Sequence, residues 1–176
     1  PLDVIRELLQ LPPDAAVPPC HVRMGTTLAT NALLERRGAR TALVITRGFG
    51  DLLSIGDQTR PKLFELDIVK PAPLYEEVIE VDARVSATGE RLIELDSGAV
   101  RLALEALHAR GIQSLALALL HAPIHHEDEL AIAELARSVG FQWVTLSHEV
   151  AHTLGFLARA ETCVVDAYLT PVIRSY

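Results

Sequence analysis

Apolar and polar residues recur along the chain with two different periods, and the change of period divides it into predicted helices and strands. Residues 41–48, TALVITRG, are β-branched and uncharged up to Arg47, as in a strand buried on both faces. Gly38 is expected to end the helix before that strand. The elements predicted up to residue 75 are helix 3–10, strand 20–24, helix 28–37, strand 41–48, helix 49–56 and an irregular segment over 61–75.

Residues 76–85 and 90–95 alternate apolar and polar side chains on either side of Ala87-Thr88-Gly89. This alternation predicts two antiparallel strands joined as a hairpin. Beyond them, the pattern predicts a further series of elements with short links: helix 99–110, strand 114–120, helix 126–140, strand 143–147 and helix 161–176, which Pro171 is expected to kink.

Alternating helices and strands of this kind are typical of a parallel sheet covered by helices. The predicted fold class is therefore α/β, a mixed sheet with helices and a β-hairpin. Residues 1–19 combine a helix with Pro12, Pro13, Pro18 and Pro19, and they are predicted to form a helical and proline-rich lead-in. Residues 20–176 are predicted to form the domain.

Composition narrows the class of function. A chain of 176 residues suits one domain, and a net charge of −7 argues against a nucleic-acid-binding surface. No apolar run reaches the roughly 18–20 residues that span a bilayer, so no membrane partner is expected. Cys20 and Cys163 lack CxxC spacing, and the first residues lack a signal-peptide layout, so a cytoplasmic location is expected.

Gly25, Thr26 and Thr27 stand between a predicted strand and a predicted helix, where backbone N–H groups and hydroxyls can bind an anion. The competing interpretation is that one threonine only caps the helix, which is the commoner role of such residues. Asn31, one turn into the helix, either points into a site or caps a neighbouring loop. Both alternatives stay open at this point.

Two further groups of polar residues are candidate sites. Arg60, with Gln58 beside it, can hold a carboxylate in bidentate fashion or form a surface ion pair. His121, His125 and His126 lack the spacing of a zinc motif, so no metal site is predicted. The acids at 127–129 are explained as first-turn residues that the helix dipole favours. Asp166 is expected to be a buried, paired structural carboxylate.

Four segments carry a resemblance to a known family. They are RMGTTLATNALLERRGARTALVITRGFGDLLSIGDQTRP at 23–61, LYEEVIEVDARV at 74–85, SLALALLHA at 114–122 followed by His126-Glu127, and DAYLTPVIRSY at 166–176. Together they closely resemble the N-terminal region of 5-oxoprolinases and hydantoinase A subunits. Arg23-Met24-Gly25 and the DAYLTP segment are more similar to the oxoprolinase side.

The resemblance implies an ATP-dependent cyclic amide hydrolase that opens 5-oxoproline to glutamate, with ATP and Mg²⁺ as cofactors of the full-length enzyme. It also implies an actin/Hsp70/sugar-kinase-like, ribonuclease H-like ATPase fold, of which this chain is a fragment. The family's glycine-rich phosphate motif, of the GGTFTD type, is absent from the sequence. We therefore expect the isolated chain to be inactive and to bind no cofactor by itself.

The same resemblance implies residues near phosphate or substrate, without identifying a catalytic residue. They are Gly25, Thr26, Thr27, Asn31, Gln58 and Arg60. The expected partners are 5-oxoproline or a hydantoin, the remaining domains or a B-type subunit of the enzyme, and further copies of the chain. The alternatives are a hydantoinase A-type subunit, a non-catalytic docking domain and, third, a regulatory small-molecule domain.

Overall fold

The computed structural model describes residues 2–21, 23, 25–57, 59, 64, 66 and 68–175. The helices are α1 (Leu2–Leu8), α2 (Leu28–Leu34), α3 (Leu52–Ile55), α4 (Ser97–Ala109), α5 (Glu127–Val139), α6 (Ser147–Val150) and α7 (Phe156–Ser175). The strands are β1 (Thr41–Thr46), β2 (Glu77–Val81), β3 (Arg84–Val85), β4 (Arg91–Ile93), β5 (Ser114–Ala118) and β6 (Trp143–Leu146).

Four parallel strands form the main sheet, in the order β2-β1-β5-β6. Every residue of β1 and of β5 is buried, because these two central strands are covered on both faces. The predicted strands over 41–48, 114–120 and 143–147 are confirmed, and so is the α/β fold class.

Side chains that alternate along the central strands supply two separate cores. Ala42 and Val44 face α4 and α5 on one side of the sheet, whereas Leu43 and Ile45 face α7 on the other. The α7 side is filled largely by small residues, so the long helix lies close against β5. The domain is therefore a three-layer arrangement of helices, sheet and helix.

The connections leave the two central strands in opposite directions. After β1 the chain passes over the α7 face, where α3 packs against α7. After β5 it passes over the other face through α5. The crevice between the carboxyl ends of β1 and β5 is therefore a topological switch point, the place where open α/β sheets bind ligands.

The hairpin is shorter than predicted, because most of its predicted first strand is part of the main sheet. Residues 77–81 pair in parallel with β1 at the edge of the main sheet. Only β3 and β4 pair antiparallel, in a separate two-stranded sheet. The expectation of one mixed sheet is corrected accordingly, because a half-buried alternation is common to hairpins and to the edge of a parallel sheet.

The predicted stop of α2 at Gly38 is wrong. The helix ends at Leu34, and Arg36 takes the left-handed conformation with φ of 53°. The N–H groups of Arg36 and Arg37 donate to the carbonyls of Leu33 and Ala32 at 3.2 and 2.8 Å, which is a Schellman arrangement. Arg36, and not Gly38, therefore provides the left-handed residue that ends α2.

Gly38 has a different role, which is close packing. A Cβ at this position would lie 2.1 Å from the ring of Tyr168, and the next residue, Ala39, donates its N–H to the carbonyl of Tyr168 at 2.9 Å. The predicted strand over 20–24 is not formed at Cys20, His21 or Arg23; residues 22 and 24 lie outside the described residues.

Pro171 lies inside α7, which begins earlier than predicted, at Phe156. Because proline has no N–H, the carbonyl of Ala167, four residues back, loses its helical donor. The hydroxyl of Ser114, at the start of β5, donates to that carbonyl at 2.7 Å instead. The proline thus frees an acceptor that fastens the helix to the amino end of the sheet.

Candidate functional site at the carboxyl edge of the sheet

The switch-point crevice lies between Thr46, which ends β1, and Leu119–His121, which follow β5. The N–H of Leu120 donates to Oγ1 of Thr46 at 3.0 Å and ties the two strand ends together. Ala83–Val85 close the crevice from the hairpin side. Its volume of about 10 Å³ is that of one water molecule. A ligand of any size would therefore have to lie at its mouth.

Two histidines of the crevice are unusual. His121 holds a left-handed φ of 63°, and its Nδ1 lies 2.8 Å from the carbonyl oxygen of Val85. Nε2 of His125 is buried and has no hydrogen-bond partner among the described residues. Strained backbone and unsatisfied polar atoms are concentrated at functional sites, because elsewhere they only cost stability.

Asp128 marks the far wall of the crevice and is almost fully buried. Its carboxylate accepts a hydrogen bond from Arg91 of the hairpin, and this bond raises the pKa of Arg91. The ion pair thereby joins the small sheet to the first turn of α5.

Beside the crevice lies a buried polar group that we call the carboxyl-edge cluster: Glu129, Ser147, His148 and Arg159. Oε1 of Glu129 accepts hydrogen bonds from the Leu119 N–H at 2.8 Å and the Ser147 hydroxyl at 2.6 Å. Oε2 of the same carboxylate lies 2.6 Å from Nδ1 of His148 and 3.3 Å from its backbone N. The Glu129 side chain is completely buried, so these partners replace the hydrogen bonds that water would make to its carboxylate.

Arg159, at 1% exposure, supplies the positive charge of the cluster. Its Nε donates to the Ser147 hydroxyl at 3.0 Å, so that Ser147 bridges the guanidinium and the carboxylate. A second guanidinium nitrogen donates to the carbonyl of Leu119 at 2.6 Å. Burial lowers the pKa of Arg159, while the Glu129 charge opposes that shift.

His148 is the member of the cluster that reaches the surface, with 14% of its side chain exposed. Its ring is stacked on that of His126, with centroids 4.8 Å apart and planes 20° apart. Hydrogen bonding at Nδ1 and stacking on one face therefore hold the imidazole in one orientation.

The predicted residues of the GTT segment lie elsewhere. Gly25, Thr26, Thr27 and Asn31 are all exposed. Thr27 is the N-cap residue of α2 but makes no side-chain cap hydrogen bond, while Oγ1 of Thr26 accepts the N–H of Leu28 at 3.2 Å. Asn31 is oriented only by a long contact of 3.5 Å to Oγ1 of Thr27.

Helix α2 packs against the second half of α7, where Ala32 meets Tyr168 and Leu169. Arg159 of the carboxyl-edge cluster is nine residues before Tyr168, about 13 Å along a helix. The packing of α2 therefore does not join the GTT segment to the cluster.

Gln58 and Arg60 lie outside the described residues. Their neighbours Asp57 and Thr59 line an open crevice of about 590 Å³, together with Lys70 and others. Hydrogen bonds from Thr59 lower the pKa of Asp57. The crevice falls within the size range of small-molecule sites.

Sequence reasoning missed the carboxyl-edge cluster, although the sequence holds a signal for part of it. Glu129 was explained with its neighbours as a dipole acid, yet it lies on the same helical stripe as Ile132, Ala133 and Ala136, which are all buried. Arg159 likewise precedes the buried stripe of α7. A charge on an apolar stripe predicts a paired, buried group. His148 carries no such signal.

Asp166 is paired, as expected, with the Thr145 hydroxyl at 2.9 Å and is partly buried.

Two features are absent from the described part of the chain. Within those residues, no group of three or more His, Cys, Asp or Glu side chains is placed to hold a metal ion. None of the helices formed by the described residues is both long enough and apolar enough to cross a membrane.

Sequence comparison connects this chain to known proteins. The family model described as hydantoinase/oxoprolinase N-terminal region matches residues 3–140. The 5-oxoprolinase of Saccharomyces cerevisiae is 41% identical over 212 aligned residues, which cover 100% of this chain and 16% of the yeast protein. For 5-oxoprolinase 1 of Arabidopsis thaliana the identity is 40%, with 100% of this chain and 16% of the relative covered. The chain thus spans under a fifth of these relatives.

Solved structures share the fold. The ATP-dependent caprolactamase from Pseudomonas jessenii superposes with a TM-score of 0.75 and 26% identity, over 86% of this chain and 23% of the caprolactamase chain. The nucleotide-free acetone carboxylase gives a TM-score of 0.72 at 20% identity, over 84% and 23% of the two chains, and this likeness concerns the fold alone. The α/β domain described above is therefore also present in larger ATP-dependent enzymes.

Proposed function

Because the chain belongs to the hydantoinase/oxoprolinase N-terminal region family, we propose that it is a segment of an ATP-dependent 5-oxoprolinase. Such an enzyme opens the lactam ring of 5-oxoproline to give glutamate and couples the reaction to ATP hydrolysis. The observation that carries the proposal is the 41% identity to the yeast 5-oxoprolinase across the whole of this chain.

ATP and Mg²⁺ belong to the proposal for the whole enzyme. The described residues of this chain do not by themselves fit a magnesium–nucleotide site. Its sequence has no glycine-rich phosphate loop, and the described residues contain no carboxylate cluster suited to a metal. We therefore assign the main part of nucleotide binding to other parts of the enzyme, and we assign this segment contacts to phosphate or to the ring substrate.

The GTT segment and Asn31 are the proposed contacts to phosphate or substrate. Support comes from their availability: the Thr27 hydroxyl is not used as a helix cap, and a Cβ at Gly25 would meet nothing within 4 Å. Gln58 and Arg60 are proposed as substrate contacts, and their neighbours Asp57 and Thr59 line the open crevice.

The decisive measurement is phosphate release that depends on 5-oxoproline, made on the full-length protein that carries this segment. We expect turnover with 5-oxoproline, and a fall in kcat/KM of about tenfold or more, roughly 1.4 kcal/mol, when Thr26→Ala and Thr27→Ala are combined. The matched control is Thr162→Ala, an exposed threonine whose hydroxyl binds only Ala158 of its own helix.

Other results would redirect the assignment. Equal kcat/KM in the double variant and the wild type would remove Thr26 and Thr27 from the site. A preference for N-methylhydantoin over 5-oxoproline would move the protein to the hydantoinase branch. Absence of turnover with either ring would contradict the proposed function.

A non-catalytic docking role is the second candidate, and α1 favours it. This helix buries none of its residues and leaves Leu2, Val4 and Leu8 more than half exposed. Size-exclusion chromatography and calorimetry on this chain separate the two roles. Micromolar binding of 5-oxoproline or ATP would favour a substrate site, whereas self-association or affinity only for the rest of the enzyme would favour docking.

A further inference from the structure

We propose that His148, held in position by Glu129, is the proton-transfer residue of the ring-opening reaction. This inference rests on the proposed function and deepens it, because neither the sequence nor the comparisons identify the group that activates water. Its basis is the geometry of the carboxyl-edge cluster.

The first step of the argument concerns which nitrogen of His148 carries a proton. The Glu129 carboxylate accepts from the Leu119 N–H and the Ser147 hydroxyl, which is itself oriented by Arg159. An ionised carboxylate only accepts, so Nδ1 of His148, 2.6 Å away, must be the donor. In the neutral ring the lone pair is then on Nε2, the tautomer that a general base requires.

The second step concerns charge. Arg159 lies beside Glu129 through the Ser147 bridge, so the cluster without His148 already holds one negative and one positive charge. The imidazole is therefore not required to neutralise the carboxylate. An amide side chain at position 148 could donate the same hydrogen bond to Glu129. An imidazole can, in addition, take up a proton.

The third step concerns position. His148 follows β6 at the carboxyl edge of the sheet, and Leu119, whose N–H also binds Glu129, lines the switch-point crevice. Nε2 of His148 has no hydrogen-bond partner among the described residues, while stacking on His126 holds the ring plane. The free nitrogen is thus available at the edge where the fold places ligands.

The reaction step follows from this arrangement. ATP, the co-substrate of the proposed function, first phosphorylates the lactam oxygen. Water then gives one proton to Nε2 as its oxygen forms a bond to the ring carbon that bears the phosphorylated oxygen. The imidazolium returns that proton to the ring nitrogen as the C–N bond breaks, which leaves an amine and an acyl phosphate. A second water molecule cleaves the acyl phosphate to a carboxylate and phosphate, and His148 ends in its initial state. The ionisable groups that contact the ring are His126 and Glu129; Arg159 belongs to the same cluster through Ser147, and Glu149 follows His148 in the chain.

The test uses the full-length protein with His148→Gln, and His152→Gln as the matched control, because His152 is an exposed histidine outside the cluster. We expect His148→Gln to lower kcat by at least a hundredfold with KM within threefold, and to remove the acidic limb of the kcat–pH profile. The control should retain kcat within twofold and keep the limb. Glu129→Gln should lower kcat less and shift the limb.

Nuclear magnetic resonance of the 176-residue chain gives a readout that does not depend on any variant folding or on turnover. Nitrogen-15 shifts of the neutral His148 ring should show the Nδ1–H tautomer. An Nε2–H tautomer, or His148→Gln with wild-type kcat and pH profile, would overturn the inference while leaving the 5-oxoprolinase assignment intact. Lack of 5-oxoproline turnover in the wild type would instead overturn the assignment.

Discussion

Both ends of the parallel sheet carry charged side chains, but the two ends differ in how far those side chains are buried. At the amino edge Arg40 pairs with Glu76 and Arg110 pairs with Glu77, with each arginine about half exposed, at 49% and 53%. At the carboxyl edge Glu129 and Arg159 have 0% and 1% exposure. The carboxyl edge has an exposed pair too, Arg47 with Asp82, but only this edge also encloses a carboxylate and a guanidinium in protein.

This difference in burial distinguishes ion pairs that stay solvated from ion pairs that lose their solvation when the protein folds. Exposed ion pairs contribute little, because water already solvates both partners. Buried ones lose that solvation and are frequently no better for stability than apolar residues. The amino edge is held by other contacts, such as Gly38 against Tyr168 and the Ser114 hydroxyl on Ala167. Burying Glu129 and Arg159 costs solvation energy without a clear gain in stability, and this favours a functional role for the carboxyl edge.

Removing the buried cation should have the largest effect. Arg159→Met would leave Glu129 charged, buried and without a cationic partner, and we expect the free energy of unfolding to fall by about 3–5 kcal/mol. Urea unfolding followed by circular dichroism measures it. Arg110→Met, from the exposed pair, is the matched control and should cost less than about 1 kcal/mol. Similar losses in the two variants would erase the contrast between the edges.

Crowding the amino edge should have an intermediate effect. Gly38→Ala places a Cβ 2.1 Å from the Tyr168 ring, and overpacking of this kind costs about 1–3 kcal/mol. Gly155→Ala, where the nearest atom is 3.6 Å away, is the control and should leave the urea midpoint almost unchanged. In a Tyr168→Ala background the Gly38→Ala penalty should largely disappear; if it persists there, the ring contact is not its cause.

The exposed pair Arg40–Glu76 should give the smallest effect and should depend on pH. The hydrogen bond from Arg40 lowers the pKa of Glu76 below its ordinary value of 4.5. The pair therefore stabilises the fold above that value, and its contribution is lost as the pH falls through the lowered pKa. Glu76→Gln should lower the urea midpoint slightly at pH 7 and make no difference in acid. A penalty that persists in acid would contradict this account.

Much of the fold was predictable, because the signals for its central strands lie in short stretches of neighbouring residues. The strands 41–46 and 114–118 are buried on both faces, and such runs can be recognised without knowledge of their partners. The pairing of 77–81 was not predictable, because its alternation suits either an antiparallel neighbour or the edge of the parallel sheet. The role of Gly38 depends on Tyr168, which is distant in sequence, and no local pattern contains that contact.

The sequence by itself determined the α/β class, the family and the central strands, because periodic burial and a long contiguous resemblance are properties of neighbouring residues. Only the tertiary structure decided which charges are enclosed. Glu129, His148 and Arg159 come from three different helices, and they meet because parallel strands β5 and β6 end at the same edge of the sheet. Their chemistry is a consequence of that shared edge, which no single segment contains.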